Sequence, residues 1–225
     1  MPLIAPSLLA ADFARLGEAL QLIKTGGASL VHVDVMDGHF VPEITVGQPV
    51  IRSLRKATDL ALDLHLLLEQ PERYAPEFVE IGADRIAIHA EATTGLHRIL
   101  KEIRARGAKA GVAVNPSTPL ESIRDILEDV DYLLVLSADL GYSDPSFIPG
   151  TVRKVQTAGS LRRERRLDFA IEVEGGIGRK EAEALVQAGA DILVADSDIF
   201  QHDDPRGRLE EWVRLAAPTR HVVGT

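Results

Sequence analysis

Short apolar runs alternate with amphipathic stretches along nearly the whole chain. Eight such runs predict buried strands, and they span residues 3–9, 30–35, 61–67, 85–88, 110–114, 132–136, 169–173 and 192–195. Between them, apolar residues recur at helical spacing and predict helices over residues 11–25, 96–106, 119–127 and 180–188. Gly-Gly or Gly-Ala steps close several amphipathic stretches, at 26–28, 82–83, 107–108 and 189–190, which is typical of helix ends with a left-handed glycine.

Strands that alternate with helices in this way pair in parallel. Two architectures satisfy the pattern, a closed (β/α)8 barrel and an open doubly wound sheet. Eight repeats within 225 residues favour the barrel, which typically takes about 250 residues. The most polar stretch, residues 157–166, predicts a solvated helix end or loop. No linker or break in composition divides the chain, so we expect a single α/β domain over residues 1–225.

Composition narrows the chemistry that this fold can carry. Hydrophobic residues make up 45% of the chain, which is enough for a sizeable core, and cysteine is absent. A metal would therefore bind to histidines and carboxylates rather than to thiolates. The formal net charge of −9 argues against a nucleic-acid partner. No apolar run has the length of a membrane span, so we expect a cytoplasmic protein that does not enter a membrane.

Polar residues gather where the predicted strands end. In (β/α)8 barrels the active site lies at this end of the strands, in the loops that follow them. The residues at these positions are Ser7, His32, Asp34, Asp37, His65, His89, Glu91, Asn115, Ser137, Asp139, Glu172, Glu174, Asp196 and Ser197.

Four of these side chains form a candidate metal site. His32 and Asp34 are two residues apart, so on a strand they point the same way. His65 enters from the next strand and Glu174 from the seventh strand, across the barrel. Two imidazoles and two carboxylates suit one divalent ion, Zn²⁺, Mn²⁺, Fe²⁺ or Co²⁺. The alternative interpretation is that each is an ordinary polar loop start, and the convergence of all four on one face favours the metal site.

Seven segments of the chain form a more specific pattern. They are I-A-P-S-L-L-A-A-D-F (4–13), H-V-D-V-M-D-G-H-F-V-P (32–42), D-L-H-L (63–66), H-A-E-A (89–92), N-P-S-T-P (115–119), S-F-I-P (146–149) and E-V-E-G-G-I (172–177). With these segments the sequence resembles the ribulose-phosphate 3-epimerase family over residues 4–200.

The resemblance implies a single TIM barrel of the ribulose-phosphate-binding type that interconverts D-ribulose 5-phosphate and D-xylulose 5-phosphate. It implies one divalent metal, no organic cofactor, a sugar phosphate or ketose as substrate, and a homo-oligomer that is a dimer or hexamer. Asp34 and Glu174 would be the catalytic acid–base pair. The implied metal ligands are His32, Asp34, His65 and Glu174, and the implied substrate-binding residues are Ser7, His65, Gly141, Gly175, Gly176, Asp196 and Ser197.

The chemistry of such a reaction agrees with that residue set. A proton next to a ketone carbonyl is weakly acidic, and its removal leaves a planar enediolate. A divalent cation stabilises the negative charge as a Lewis acid. Inversion of the carbon needs one proton-transfer group on each face of the intermediate, and two carboxylates provide this.

Three departures from the family pattern affect the expected site. Glu174 stands where the family has Asp, and its arm is one methylene longer. The loop D-L-G-Y-S-D-P (139–145) replaces a glycine-rich loop and introduces Ser143 and Asp144. Asp196 replaces a glycine at the end of the eighth strand. The last two changes add negative charge where a phosphate is expected, and they suggest a different ketose or ketose phosphate as the alternative substrate.

Two further interpretations belong to other classes. A barrel that kept its metal site without catalysis would be a binding protein, and the complete set of carboxylates and histidines argues against it. Related barrel decarboxylases and synthases use the motif D-x-K-x-x-D on strand two. Met36 occupies the position of that lysine, so this interpretation is excluded.

Overall fold

The described residues form eight parallel strands. A computed structural model of the chain describes residues 2–141 and 146–216. The strands are β1 (Leu3–Pro6), β2 (Leu30–Met36), β3 (Ala61–Leu67), β4 (Arg85–His89), β5 (Lys109–Val114), β6 (Tyr132–Leu136), β7 (Ala170–Glu174) and β8 (Ile192–Ala195). Their order around the sheet is β1-β8-β7-β6-β5-β4-β3-β2.

Helices follow the strands in alternation and cover the outside of the sheet. The described α-helices are α1 (Leu16–Thr25), α2 (Gln48–Ala57), α3 (Ala75–Glu80), α4 (Leu96–Ala105), α5 (Gly150–Arg165), α6 (Arg179–Ala188), α7 (Ser197–Phe200) and α8 (Pro205–Ala216). Short 3₁₀ helices span Leu8–Ala10, Phe13–Arg15, Pro71–Arg73 and Leu120–Glu128. Across the described part of the chain, none of the helices combines the length and apolar character that crossing a bilayer requires.

The sheet closes on itself, which confirms the barrel over the open sheet. β1 pairs with β8 along its whole length, from Leu3 with Ile192 to Pro6 with Ala195. On its other side, the described residues join β1 to β2 through one isolated parallel bridge between Ser7 and His32. This narrow seam follows the carboxyl end of β1 and meets β2 at its third residue.

Several predicted boundaries were wrong for a local reason. The first strand ends at Pro6, and the predicted helix over 11–25 begins only at Leu16. In between, the Ser7 hydroxyl accepts from the Leu9 N–H, and Asp12 accepts from the Ala14 N–H. Such local hydrogen bonds favour tight turns over a regular helix. The stretch 119–127 is likewise a 3₁₀ helix rather than an α-helix.

The helix ends were predicted more accurately. Gly27, Gly82, Gly107 and Gly189 all have positive φ, as expected of glycines that terminate helices. The polar stretch 157–166 is the last part of α5, which ends at Arg166 in a left-handed conformation. Arg163 and Arg166 are exposed, Arg162 and Arg165 are partly buried, and Ala158 and Gly159 of the same stretch are buried.

The inside of the barrel changes character along its axis. Near the amino ends of the strands, the inside is filled by small and branched apolar side chains, Ala5, Leu30, Ile192 and Val194. Buried ionisable side chains, described below, form the next layer, and a second apolar cluster lies nearer the carboxyl ends of the strands. The larger core lies between strands and helices, where nearly every outward-facing strand residue is apolar. Apolar packing therefore surrounds the ionisable side chains, and the carboxyl ends of the strands are the open side of the barrel.

Candidate active site

Four ionisable side chains from β2, β3 and β7 meet inside the barrel. Nε2 of His32 lies 3.5 Å from Oδ1 of Asp34 and 3.3 Å from Oε2 of Glu174. Nδ1 of His65 lies 3.1 Å from the same Asp34 oxygen and 2.9 Å from the same Glu174 oxygen. All four residues are buried, and their four ligand atoms lie within 4.8 Å of one another. The structure thus brings together the four residues that the sequence predicts as a metal site.

Strand register produces this convergence. His32 and Asp34 alternate with valines, so both side chains point to the inside of the barrel. β2 and β3 pair so that Asp34 lies beside His65. Ser7 extends the group, because its hydroxyl donates to Oδ2 of Asp34 at 2.9 Å. Ser137 fixes the end of β7, since its hydroxyl lies 2.8 Å from the Glu174 carbonyl oxygen.

Mutual contact shifts the pKa values of these groups in opposite directions. Burial opposes charge on His65, but Glu174 and Asp34 outweigh it and raise the pKa of His65 to about 9. The same carboxylates raise the pKa of His32 well above its usual value against the effect of burial. Burial also opposes charge on Asp34, yet the two histidines hold its pKa well below the usual range. Positive charge on His32 and His65 and negative charge on Asp34 therefore stabilise one another in this cluster.

The donor set fits a divalent metal ion. Among the described residues, Nε2 of His32 and Oε2 of Glu174 are buried and have no hydrogen-bond partner. Buried polar atoms without partners are costly, and a cation between them would satisfy both. Two imidazole nitrogens and two carboxylate oxygens are ligands that Zn²⁺, Mn²⁺, Fe²⁺ and Co²⁺ accept.

A second buried network lies beneath this cluster. Nδ1 of His32 is 3.0 Å from Oδ2 of Asp63. Arg85 donates to Oδ1 of Asp63 at 3.0 Å and to Oε2 of Glu172 at 2.6 Å. The Tyr132 hydroxyl also donates to Asp63, at 3.1 Å. The network fixes the orientation of the His32 ring, because the nitrogen that faces away from the cluster is hydrogen-bonded.

The sequence analysis did not assign Asp63, Arg85 or Tyr132 to the site. A signal was present for two of them, because Asp63 is two residues before His65 and Arg85 is four residues before His89. On a strand, both spacings place the side chains on one face. Burial and neighbouring Asp63 raise the pKa of Glu172 to about 7, although the nearby histidine and arginine oppose this.

A third set of contacts begins on the other side of His65. Nε2 of His65 is 2.9 Å from Nε2 of His89, whose Nδ1 is 2.9 Å from Oε2 of Glu91. Burial lowers the pKa of His89 to about 4. Burial opposes charge on Glu91, but His89 and the hydrogen bonds from Thr118 and Asn115 together outweigh it and lower the pKa of Glu91 to about 2. The sequence predicted both residues at a strand end without giving them a role.

Apolar side chains cover the cluster on the open side of the barrel. Met36, Val41, Leu67, Leu136 and Leu140 pack against one another. Met36 and Leu67 are two residues beyond Asp34 and His65, so they lie one layer closer to the strand ends. A group that enters the site from this side reaches the charged cluster through an apolar rim.

Comparison with known proteins decides the family. The model of the ribulose-phosphate 3-epimerase family matches residues 3–200. The ribulose-phosphate 3-epimerase of Bacillus subtilis is 41% identical over 209 residues, which cover 92% of this chain and 96% of that protein. The Mycobacterium tuberculosis protein of the same name is 46% identical over 215 residues, covering 96% and 93%. This chain belongs to the ribulose-phosphate 3-epimerase family. It is an isomerase, as the resemblance in the sequence predicts.

Solved structures support the same fold at much lower identity. Orotidine 5'-phosphate decarboxylase from Pyrococcus horikoshii has a TM-score of 0.66 and 16% identity, and the match covers 96% of this chain and 100% of that one. Thiamine phosphate pyrophosphorylase from Pyrococcus furiosus has a TM-score of 0.64 and 15% identity, with 99% and 97% covered. These similarities concern the barrel alone.

The loop after β7 begins with two glycines in the left-handed region. Gly175 has φ of +110° and Gly176 has φ of +59°. A side chain at Gly175 would be strained at that angle, and its Cβ would lie 2.9 Å from the Ala138 nitrogen. Gly141 is also left-handed, with φ of +78°, and it packs against Val41. In this epimerase, these glycines bring backbone close to the rim of the site.

Asp196 occupies the end of β8 in an unexpected way. Its Oδ1 accepts from the backbone N–H of Ser197 at 2.5 Å and lies 3.1 Å from the Ser197 hydroxyl. Burial raises the pKa of Asp196, and the charges of Glu174 and Asp34 add to this. The N–H of Ser197, a residue that the resemblance implies in substrate binding, is therefore already hydrogen-bonded to the Asp196 side chain. The other acidic substitution, Asp144 with its neighbour Ser143, lies outside the described residues.

Proposed function

We propose that this chain catalyses the 3-epimerisation of D-ribulose 5-phosphate to D-xylulose 5-phosphate in both directions. The observation that supports it is the pair of buried carboxylates, Asp34 on β2 and Glu174 on β7. They approach the same His65 nitrogen from different strands, in a chain of this family. A pocket with a proton-transfer group on each side is what inversion at a carbon next to a carbonyl requires.

In this proposal the two carboxylates exchange roles with the direction of the reaction. One carboxylate takes the proton from C3 and leaves a planar enediolate. The other, in its protonated form, returns a proton to the opposite face. When the substrate is the other epimer, the roles are reversed. Positioned acid–base groups of this kind contribute about 10² to 10⁴-fold to the rate.

His32, Asp34, His65 and Glu174 would hold one divalent metal ion. Such an ion supplies Lewis-acid stabilisation for the negative charge that develops on the ketone oxygen. The residues themselves contribute orientation. Ser7 holds Asp34 through the hydrogen bond to Oδ2, and Asp63 holds the ring of His32. No organic cofactor is part of the proposal, because a carboxylate pair and a cation suffice for the proton transfer.

The remaining predicted contacts are assigned by position. Ser7 and His65 would contact the reacting end of the substrate, since both touch Asp34. The backbone at Gly141, Gly175 and Gly176 would contact the other end, together with the substrate-binding residues Asp196 and Ser197. In barrels of this kind, the loops after strands seven and eight commonly bind phosphate. We further propose that the enzyme acts in the cytoplasm as a homo-oligomer, a dimer or hexamer.

Turnover is the test of this function. The purified chain is supplied with Zn²⁺, Mn²⁺, Fe²⁺ or Co²⁺ in turn, and conversion of ribulose 5-phosphate to xylulose 5-phosphate is measured. We expect a kcat in the usual enzyme range of about 1–10³ s⁻¹ with at least one metal. Exchange of the C3 proton with deuterated water is measured in parallel. If folded, metal-loaded protein shows neither conversion nor exchange with any ketose, the chain is a non-catalytic barrel.

The position of Asp196 favours a second candidate, the same epimerisation on a ketose without a terminal phosphate. Its carboxylate lies at the β8 end, where a dianionic phosphate would be repelled and a sugar hydroxyl would be accepted as a hydrogen-bond donor. A substrate whose far end carries hydroxyl groups matches this arrangement.

Two variants with the same change in charge separate the candidates. Asp196→Asn removes the carboxylate at the β8 end. Asp198→Asn is the control, because that carboxylate pairs with Arg208 at 2.9 Å and faces away from the site. We expect Asp196→Asn, and not Asp198→Asn, to raise kcat/KM for ribulose 5-phosphate relative to the unphosphorylated ketose by about tenfold, since one charge interaction of about 1.4 kcal/mol is removed. If the ratio of kcat/KM for ribulose 5-phosphate to kcat/KM for the unphosphorylated ketose is the same in both variants, the first candidate, with ribulose 5-phosphate as substrate, is favoured.

A further inference from the structure

His89 and Glu91 form a pair that the proposed proton transfer does not use. His89 is fully buried at the end of β4, and the Glu91 side chain is 24% exposed. The pair contacts the four-residue cluster through His65, and the His65 and His89 rings are stacked at 5.0 Å between centroids. Their contacts follow one line, from the Glu91 carboxylate to His89 and then to His65.

The chemistry of each group decides where the protons on this line lie. An ionised carboxylate only accepts hydrogen bonds, so Nδ1 of His89 carries the proton that faces Glu91. A neutral imidazole has one N–H and one lone pair, so Nε2 of His89 is then an acceptor. The atom 2.9 Å from it, Nε2 of His65, must be the donor. When His65 is neutral, its lone pair is therefore on Nδ1, the nitrogen that faces Asp34 and Glu174.

Glu91 is itself fixed as an acceptor. Its Oε1 accepts the backbone N–H of Asn115 at 2.8 Å and the hydroxyl of Thr118. The loop that carries these donors is bound to α5 by Lys154, whose ammonium group donates to the carbonyl oxygens of Asn115 at 3.0 Å and of Thr118 at 2.7 Å. Both oxygens of Glu91 are thus committed, one to the β5 loop and one to His89.

We propose that Glu91 and His89 are positioning residues that keep the proton on Nε2 of His65 and so present its Nδ1 lone pair to the metal pocket. The inference rests on the proposed function only in that it takes the four-residue cluster to be a metal site. Partners of this kind, which orient a metal-ligating histidine, typically change metal affinity by about 10 to 100-fold when they are removed.

The decisive variant reverses the direction of the hydrogen bonds between residue 91, His89 and His65 without changing the size of the side chain. In Glu91→Gln, the amide oxygen must take the Oε1 position, because Asn115 and Thr118 donate to it. The amide NH₂ then faces Nδ1 of His89 and donates to it. His89 would carry its own proton on Nε2 and donate to His65, whose proton would move to Nδ1 and point at the metal pocket. We expect Zn²⁺ affinity at pH 7.5, measured by competition with a chelator, to fall about 10 to 100-fold.

A matched variant separates this effect from a structural one. In His89→Gln, the amide NH₂ can donate to Glu91 while the amide oxygen accepts from Nε2 of His65, so both hydrogen bonds keep their direction. We expect His89→Gln to bind Zn²⁺ within about threefold of the unchanged chain. Zn²⁺ affinity in Glu91→Gln within twofold of the unchanged chain would overturn the proposal, and so would a loss in His89→Gln as large as that in Glu91→Gln.

A spectroscopic measurement on the unchanged chain avoids any question of folding. Proton–nitrogen correlation spectra of the Zn²⁺-loaded protein report which ring nitrogen of each histidine carries a proton. We expect the proton on Nε2 of His65 and on Nδ1 of His89; a proton on Nε2 of His89 contradicts the proposal. Failure of the epimerase function would appear separately, as absent turnover in protein whose Zn²⁺ affinity still depends on residue 91.

Discussion

At the scale of single residues, Glu174 shows how a longer carboxylate arm is accommodated. Its Oε2 reaches a point 3.3 Å from Nε2 of His32 and 2.9 Å from Nδ1 of His65. The extra methylene relative to the Asp of the family pattern therefore does not carry the oxygen past the cluster. The carbonyl of Glu174 is held by Ser137, which limits the freedom of the backbone at this position.

This geometry predicts the effect of neutralising Glu174. Glu174→Gln keeps the size of the side chain and removes its ability to transfer a proton. We expect kcat/KM for epimerisation to fall at least about 10²-fold. Glu174→Asp is the matched control, because it keeps the carboxylate and shortens the arm, and it should retain more than about 1% of the activity. Steady-state kinetics measure these values, with the metal content of each variant determined. A kcat/KM of Glu174→Gln within tenfold of that of the unchanged chain would contradict the prediction.

At this scale, the positions of the four clustered side chains could be predicted from the sequence, but most of the residues that hold them in place could not. His32, Asp34 and His65 lie within apolar runs and Glu174 follows one, so their side chains can be placed on the inner face from the sequence. The spacing of Arg85 from His89 places Arg85 on that face as well, whereas Tyr132 stands alone at the start of its strand. Their roles depend on which strands face each other across the barrel, and the sequence does not give the distances between those strands.

At the scale of elements, β5 and β6 fit together through a glycine. Gly111 on β5 pairs with Tyr132 on β6, and a Cβ at Gly111 would lie 2.3 Å from the tyrosine ring. Only a residue without a side chain permits this approach. The Tyr132 ring in turn packs under the Arg85 guanidinium at 4.0 Å and reaches Asp63 with its hydroxyl.

Substitution at Gly111 should therefore destabilise the barrel from inside. In Gly111→Ala the ring must move, which disturbs the hydrogen bond to Asp63, and overpacking of this kind costs about 1–3 kcal/mol. Gly17→Ala is the control, because no atom lies within 4 Å of a Cβ there and α1 gains a better helix former. Urea unfolding should show a loss for Gly111→Ala and no loss for Gly17→Ala. Equal midpoints in the two variants would show that the ring adapts freely.

Strand positions were predictable at this scale because period and burial agree. All eight predicted strands are present; β3, β6 and β8 have the predicted bounds, and the ends of the other five differ by at most three residues. The helical predictions failed where side chains form hydrogen bonds with nearby backbone, as Ser7 and Asp12 do before α1. Apolar spacing is insensitive to such bonds, because 3₁₀ turns and α-helices place apolar residues at similar intervals.

At the scale of the whole molecule, a metal ion bound at the four-residue cluster would compete with the proton on His65. In the metal-free protein, the pKa of His65 is raised from 6.5 to about 9, so its proton stabilises the fold fully below pH 6.5. That contribution is lost as the pH rises through about 9. A metal ion needs the same nitrogen without its proton, so metal affinity should rise with pH over this window.

The expected outcome is a pH-dependent difference in thermal stability. Between pH 6.5 and 8.5, displacement of one proton strengthens metal binding by about 100-fold, or about 2.7 kcal/mol. For a domain of this size, we expect the Tm difference between Mn²⁺-loaded and chelated protein to widen by roughly 5–10 °C. Calorimetry at constant free Mn²⁺ measures it. A difference that does not change with pH would show that His65 does not bind the metal.

The closed barrel could be predicted only in part. Alternation of strands and helices fixes parallel pairing, and chain length favours closure. The place where the barrel closes depends on β1. After Pro6 the chain turns away from the direction of the strand and enters a 3₁₀ helix. In the described residues, the bridge between Ser7 and His32 is what joins β1 to β2.

That seam has a mechanical consequence. The barrel is a closed ring whose narrowest connection lies beside Asp34, because Ser7 both forms the bridge and donates a hydrogen bond to that carboxylate. When a thermal fluctuation opens the ring, we expect β1 and β2 to separate first while the other seven strand pairs stay intact. On gradual warming, activity should therefore decline before helical content does. A ligand that contacts both sides of the seam should stabilise the whole ring.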